Sequence, residues 1–294
     1  MALENTSDNL DDVLFVVVTC TRDSSREKAL NKLVSSINKE NRKGLFGRNV
    51  LFFDNASTSI SPLKSLETDS VFALSSNNIG YWSALHWATQ NASDIFHNDF
   101  KYIHPIESDL VLYNIERLTE AKSFLDQNDA YSTVRTQEFS VRQKQRFLKN
   151  SGTLFPVRRS RVAPFHGVTG KDISIDKTDC ENKPNIYTSE WHAKVPALHR
   201  MDVFKDVLEI LASNGNITEL MFMERMYEKS KRVGLLDKGI YYCNLGTRFW
   251  PWEKKWLTGS WSDAQTLKKH GYLSSRHSKM IGSFPDIEIV DTLT

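Results

Sequence analysis

Two carboxylates one residue apart, Glu107 and Asp109, stand between two apolar runs of the sequence. In extended backbone, residues i and i+2 project to the same side, so both side chains can point together off a strand end. Carboxylates held this close repel each other unless a cation lies between them. Mg²⁺ and Mn²⁺ prefer oxygen ligands, and a substrate's phosphates can complete their shell. The pair therefore indicates a Mn²⁺ or Mg²⁺ site with a phosphorylated substrate; the alternative is a strand end followed by a solvated turn.

The composition is that of an ordinary globular protein. The 294 residues carry 38 basic and 36 acidic side chains, and this net charge of +2 argues against a general nucleic-acid binder. No apolar run is long enough to span a bilayer, and the polar N-terminus does not resemble a signal peptide. The three cysteines have no metal-binding spacing and indicate free thiols. We therefore expect a cytoplasmic protein without a transmembrane segment; whether it forms a homo-oligomer is left open.

Strand and helix patterns alternate through the first half of the chain. Apolar, β-branched runs predict strands over residues 13–19, 50–53, 71–74 and 102–106. Helical periodicity follows three of them, over residues 30–37, 81–90 and 114–125. This alternation predicts an α/β fold with a mainly parallel, Rossmann-like sheet flanked by helices. Ligands of such sheets bind beyond the carboxyl ends of the strands, where Glu107 and Asp109 would lie.

Polar motifs follow the predicted strands in a fixed order: Thr19-Cys20-Thr21-Arg22, Asp54-Asn55-Ala56-Ser57-Thr58, Asn77-Asn78-Ile79-Gly80-Tyr81 and Glu107-Ser108-Asp109. In this order they resemble the nucleotide-sugar-binding half of GT-A fold glycosyltransferases, especially the family-2-like group. The resemblance spans about residues 13–112 and implies a single catalytic domain over residues 1–294. Its donor-binding half would cover about 13–130. An irregular acceptor-binding half with a C-terminal lid segment would cover about 131–294.

The resemblance places donor binding at the strand ends, on Thr19, Thr21, Arg22, Asp54, Asn78, Gly80, Tyr81, Glu107, Ser108 and Asp109. Hydroxyl and guanidinium donors suit ribose and phosphate oxygens. Asp54 could accept a hydrogen bond from the uracil imide or a ribose hydroxyl, or only form an Asx turn. Asn78 and Gly80 could turn the backbone beside the ligand, or only begin a helix. Glu107 departs from the family's usual aspartate, so Asp109 is the stronger metal ligand.

The resemblance also implies a base and a third metal ligand in the second half. If configuration inverts, a carboxylate must take the proton of the acceptor hydroxyl. Glu219 matches the position of that base, with Glu224 as substitute, although the aspartate that usually follows is Leu220 here. The alternative is that Glu219 only begins a helix. His270 or His277 could supply a further metal ligand, as C-terminal histidines do in some GT-A enzymes.

Aromatic and basic residues of the second half are candidates for acceptor binding. Trp191, His192 and Trp250 could contact a sugar or phosphate, with hydrophobic packing as the alternative for the tryptophans. The basic run from Arg135 to Arg161 has three interpretations. It could be a solvated face, a site for an anionic glycan or lipid phosphate, or a contact with an anionic membrane surface.

Together these patterns predict a metal-dependent glycosyltransferase, a hexosyltransferase as first choice. It would transfer a sugar from a nucleotide diphosphate, with UDP preferred, to a glycan, lipid-linked or other hydroxyl acceptor. A nucleotidyltransferase is one alternative, although residues 19–25 lack the glycine-rich loop that such enzymes usually carry. The other alternative is a catalytically degenerate sugar-nucleotide-binding protein, which the substitution at Glu107 and the unpaired Glu219 keep open.

Overall fold

The computed structural model describes residues 10–44, 46–136, 175–177, 186–189, 197–236, 239–243, 278–281 and 283–293. The strands in these ranges are β1 Val13–Thr19, β2 Val50–Asn55, β3 Ser70–Ser75, β4 Tyr102–Glu107, β5 Leu110–Leu112, β6 Thr133–Arg135, β7 Ile175–Lys177, β8 Ile186–Ser189, β9 Ala197–Arg200, β10 Asn216–Ile217, β11 Val233–Leu236, β12 Tyr241–Cys243, β13 Ser278–Lys279 and β14 Ile287–Val290. The α-helices are α1 Ser24–Asn41, α2 Tyr81–Phe96, α3 Leu118–Gln127, α4 Met201–Ser213 and α5 Glu219–Lys229.

A parallel core of β3, β2, β1 and β4 forms the centre of a ten-stranded sheet. Every residue of β1 and β2 is buried, as expected for strands with helices on both faces. The continuous apolar runs in the sequence arise from this double burial. The predicted α/β fold, with a mainly parallel sheet flanked by helices, is confirmed for this first half of the chain.

The second half of the chain extends the same sheet with mostly antiparallel pairs. β9 lies between β4 and β6 and is antiparallel to both, and β11 then pairs parallel with β6. β8 and β7 continue the sheet in antiparallel pairs, and β14 pairs antiparallel with β3 at the opposite edge. These additional strands are short, so the sequence contains too little periodicity to predict them.

Alternate residues of the central strands belong to two hydrophobic cores, one on each face of the sheet. Leu14 and Val16 face the layer that contains α2, α4 and α5, where Trp82 and Phe222 pack together. Phe15 faces the other layer, which contains α1 and α3. Because successive side chains of a strand point to opposite faces, the two layers hold each strand end in a fixed position.

The helix boundaries differ in detail from the sequence prediction. The Asp23 side chain caps α1, since its Oδ1 accepts from the Arg26 N–H at 2.9 Å. α2 extends six residues beyond the predicted 81–90 and ends at Phe96, before His97 in a left-handed conformation. The helix predicted at 114–125 begins as a short 3₁₀ turn, Ile115–Arg117, and continues as α3. No helix in the described part of the chain is long and apolar enough to cross a membrane.

Two small two-stranded sheets hold the segments next to two predicted site residues, Asp109 and Glu219. β5, which follows Asp109 directly, pairs antiparallel with β12. β10 precedes Glu219 and pairs with β13 near the C-terminus. The chain from β13 to the residue after β14, residues 278–291, is here called the C-terminal strap. It runs alongside α2, where the Ile281 N–H donates to Ser83 Oγ at 3.4 Å and Phe284 packs on His86.

Candidate active site

A cleft of about 630 Å³ opens where β1, β2 and β4 end at their carboxyl termini. This is the edge of the sheet at which the sequence predicts ligand binding. The predicted donor-site residues that line the cleft are Thr19, Arg22, Asn78, Tyr81, Glu107, Ser108 and Asp109. The described lining also includes residues that the sequence did not single out: Val18, Cys20, Asp23, Arg26, Ala29 and Asn55.

The end of β1 and the start of α1 place two arginines on the cleft wall, Arg22 and Arg26. Arg26 Nη1 donates to the Cys20 carbonyl at 3.4 Å, and the Arg26 guanidinium forms an ion pair with Asp23 at 3.9 Å. Arg22 is exposed and makes no hydrogen bond or ion pair with any residue of the described ranges. Guanidinium groups suit phosphate oxygens, so this wall favours an anionic ligand. The sequence did not single out Arg26; the i,i+4 spacing of the two arginines at a helix start is the signal that could have found it.

Asp54 and Thr21 lie beneath the cleft rather than among its described lining. Asp54 is buried and accepts from Thr19 Oγ1 at 3.0 Å and from the Ser57 N–H at 3.2 Å. The Thr21 N–H donates to Ser57 Oγ at 2.7 Å, and the Thr21 carbonyl accepts from the Thr58 N–H at 2.8 Å. These bonds join the ends of β1 and β2. In this geometry Asp54 positions Thr19 and the following loop.

A chain of amide contacts connects β2 to the start of α2. Asn55 Oδ1 accepts from the Ile79 N–H at 2.8 Å, and Asn78 Oδ1 accepts from the Gly80 N–H at 2.9 Å. Asn78 Nδ2 donates to Cys20 Sγ at 3.2 Å, across to the end of β1. Gly80 has φ 88° and ψ 156°, a conformation that L side chains rarely adopt. Asn78 and Gly80 therefore fix the turn that places Tyr81 on the cleft wall.

The end of β4 presents Glu107, Ser108 and Asp109, all half-buried, to the cleft. β4 holds them on one side and the β5–β12 pair on the other. Two carboxylates and a substrate's phosphate oxygens fit the coordination of Mg²⁺ or Mn²⁺. Within the described ranges, no group of three or more His, Cys, Asp or Glu side chains is placed to hold a metal ion. An ion here would therefore take further oxygens from the substrate or water.

The two candidate bases lie on α5. Glu219 is its first residue, directly after Thr218, whose Oγ1 caps the helix by accepting from the Met221 N–H at 3.1 Å. Glu224 lies further along α5, and partial burial, with Glu228 as the second cause, raises the pKa of its carboxyl. A raised pKa suits a general base that works near neutral pH. Glu224 is not among the described residues that line the cleft. Both assignments stay predictions.

The other predicted site residues lie outside the described ranges: Trp191, His192, Trp250, His270 and His277. Most of the basic run from Arg135 to Arg161 lies outside them as well. Arg135 itself is in β6 and is almost fully buried, which lowers its pKa to about 10. Arg135 therefore does not belong to a solvated basic face.

Comparison with known proteins gives structural neighbours only. No family model matches the chain, and no curated protein matches it. The crystal structure of S. aureus TarS 1–349 aligns with TM-score 0.47 and 16% identity, over 89% of this chain and 72% of that chain. TarS 1–349 in complex with UDP-GlcNAc gives TM-score 0.43 and 16% identity, over 80% and 61%. CMP:2-keto-3-deoxy-manno-octonic acid synthetase complexed with CTP gives 0.44 and 8%, over 84% and 98%. With TM-scores below 0.5, these likenesses say nothing about substrate or reaction.

Proposed function

We propose that this protein is a metal-dependent glycosyltransferase. It transfers a sugar from a nucleotide diphosphate, with UDP as first candidate, to a hydroxyl group of a glycan or lipid-linked acceptor. One observation carries the proposal: a single cleft combines two arginines after the β1 end with amides from the β2 end and the turn before α2, and with two carboxylates from the β4 end. Cations, neutral hydrogen-bonding groups and paired acids are what a nucleotide diphosphate with its metal requires.

The width of the cleft suits a nucleotide that lies across the sheet edge. β2 and β4 flank β1 on opposite sides. Neighbouring strands are about 4.8 Å apart, so the β2 and β4 ends are roughly 10 Å from each other. The acids at the β4 end favour the diphosphate with its metal. The nucleoside then extends past β1 toward Asn55 and Asn78 at the uncharged end of the cleft.

Different residues of the cleft and of α5 would meet the separate requirements of sugar transfer. Asp109, with Glu107 beside it, would hold a metal ion, and a bound ion would supply neutralisation of the leaving diphosphate. Arg22 and Arg26 add positive charge on one wall of the same cleft, where guanidinium groups can bind phosphate oxygens. Inverting transfer also needs a carboxylate for the acceptor proton, and Glu219 or Glu224 is the candidate.

A donor panel tests the proposal. Purified protein is incubated with UDP-, GDP- and CMP-linked sugars with Mn²⁺, Mg²⁺ or EDTA, and release of the nucleotide is measured. We expect turnover of at least one donor that EDTA abolishes. Asp109→Asn should lower this turnover by about 100-fold or more, a typical cost of removing one electrostatic contact to a developing charge. Asp94→Asn, the same change at an exposed position of α2, is the matched control.

Three outcomes of this panel contradict the proposal or redirect it. The proposal fails if no donor is bound, or if Asp109→Asn turns over donor as fast as the native chain. Binding without turnover would instead indicate a sugar-nucleotide-binding protein. A parallel incubation with nucleoside triphosphates and sugar phosphates detects diphosphate release, which would indicate a nucleotidyltransferase.

A further inference from the structure

Asn55 is the last residue of β2 and lines the cleft although only 2% of it is exposed. Its amide orientation follows from one contact, the Ile79 N–H, which lies 2.8 Å from Oδ1. Because an N–H can only donate, the oxygen must face Ile79, and the amino group Nδ2 must point the other way. The side chain is therefore held in one orientation by the backbone of the turn that precedes α2.

The amino group of Asn55 has no acceptor among the described residues, since the bond to Ile79 uses Oδ1 alone. Nδ2 is not among the described side-chain atoms that are both buried and unpaired, so it is accessible from the cleft. Asn55 borders the cleft, so an acceptor for Nδ2 would come from a molecule in the cleft, a ligand or water. By contrast, the neighbouring Asp54 has its hydrogen bonds within the protein, to Thr19 and Ser57.

The position of Asn55 relative to the charged groups indicates which part of a ligand it meets. The arginines and the paired acids occupy the β1 and β4 sides of the cleft, whereas the β2 side offers the uncharged Asn55 and Asn78. Phosphate and metal are favoured on the charged side. A neutral heterocycle is favoured on the other, roughly two strand spacings away.

We propose that Asn55 reads the nucleobase of the donor through Nδ2, which donates to a carbonyl oxygen or an unprotonated ring nitrogen on the edge of the base. This inference rests on the proposed function, because it assumes that a nucleotide occupies the cleft. The polarity is specific to this side chain: an aspartate here would accept from a base N–H. Asn55 therefore favours donors whose base turns an acceptor toward β2.

Asn55→Asp tests this polarity with little change of shape. The aspartate keeps an oxygen for the Ile79 N–H but replaces the donor by an acceptor. Titration calorimetry with Mn²⁺ measures the dissociation constants of UDP, CDP, GDP, ADP and inorganic diphosphate. We expect the preferred nucleoside diphosphate to bind about ten- to a hundredfold more weakly to the variant, the usual effect of one lost buried hydrogen bond. Inorganic diphosphate should bind equally to both proteins.

The matched control is Asn98→Asp, the same change at an exposed asparagine whose Nδ2 donates to the Asp11 carbonyl. It should leave every dissociation constant unchanged. A second measurement uses the native protein alone: ribose 5-diphosphate, which lacks a base, should bind at least about tenfold more weakly than the preferred nucleotide. This comparison remains decisive if Asn55→Asp does not fold.

The contrary results distinguish failure of the inference about Asn55 from failure of the proposed function. If the native protein binds nucleotides and Asn55→Asp binds them equally well, the inference about Asn55 fails and the proposed function stands. The same holds if ribose 5-diphosphate binds as tightly as the nucleotide. If the native protein binds neither nucleotide nor diphosphate, the proposed function fails, and the inference fails with it.

Discussion

Adjacent residues at a strand end take opposite roles in this protein. Asp54 and Asn55 follow each other at the end of β2, and successive side chains of a strand point to opposite sides. Asp54 is bonded to Thr19 and Ser57 within the protein, whereas Asn55 lines the cleft. The carboxylate thus joins the ends of β1 and β2 and the amide faces the cleft, although a carboxylate is the more conspicuous candidate in a sequence.

His104 gives a prediction about pH. The ring is fully buried in β4, its Nε2 lies 3.0 Å from Thr136 Oγ1, and burial lowers its pKa from about 6.5 to about 3. Below pH 6.5 the unfolded chain therefore binds a proton that the folded chain does not. Stability should fall as the pH falls from 6.5, by up to about 1.4 kcal/mol per pH unit from this residue.

Urea unfolding of the native chain and His104→Gln between pH 5 and 7 measures this contribution. The variant should show a shallower decline of the unfolding free energy toward pH 5. His97→Gln, at the exposed end of α2, should keep the native slope. Equal slopes for the native chain and His104→Gln would contradict a buried, uncharged histidine.

At the scale of elements, the turn before α2 links the ends of two strands, β1 and β2. Asn78 bonds to Cys20 at the end of β1 and to Gly80, and Asn55 of β2 bonds to the Ile79 backbone. The first residue of α2, Tyr81, lines the cleft. A change in the backbone of this turn should therefore affect both the cleft and the stability of the fold.

Gly80→Ala and Gly44→Ala separate these two effects. Both glycines have positive φ, 88° and 71°, but Gly44 follows α1, and no atom lies within 4 Å of a Cβ added there. Each variant should lose about 1–3 kcal/mol of unfolding free energy through backbone strain. Only Gly80→Ala should also weaken nucleotide binding, by about tenfold, as titration calorimetry would show. An unchanged affinity in Gly80→Ala would mean that this turn does not position the site.

Structural features that depend on a local residue pattern can be predicted from the sequence. The strands β1 to β4 appear as buried runs, and Glu107, Asp109 and Arg22 are found because charged residues at such strand ends are conspicuous. Asn55 and Arg26 are missed, because an amide in a turn and an arginine in a first helical turn have ordinary structural explanations. β5, β12 and β14 are missed because their stability comes from partners far along the chain, which no local window contains.

At the scale of the whole molecule, the C-terminal strap completes the sheet. β14 pairs with β3, and Arg48 forms an ion pair with Asp291 at 2.6 Å. Without the strap, β3 becomes an open edge that carries Val71 and Phe72, and such apolar edges promote association. The strap also packs along α2 through Phe284. Its contribution should therefore exceed that of its surface ion pair.

A chain that ends after Gly282 tests this role by removing β14. We expect a lower unfolding temperature and aggregation that rises with protein concentration, measured by circular dichroism and light scattering. Arg48→Ala is the comparison, because it removes only an exposed ion pair worth about 1 kcal/mol or less. A shortened chain that aggregates no more than the full chain and is equally stable would show that β3 needs no cover.

The pairing of β5 with β12 has a consequence for how the protein is made. Residues 110–112, next to the acidic pair, are held by residues 241–243, which leave the ribosome much later. Parts of a chain made early begin to fold during synthesis, so the four parallel strands can form while β12 is still unmade. A nascent chain thus has its sheet before Glu107 and Asp109 reach their final support. Nucleotide affinity should therefore arise only after β12 has been made.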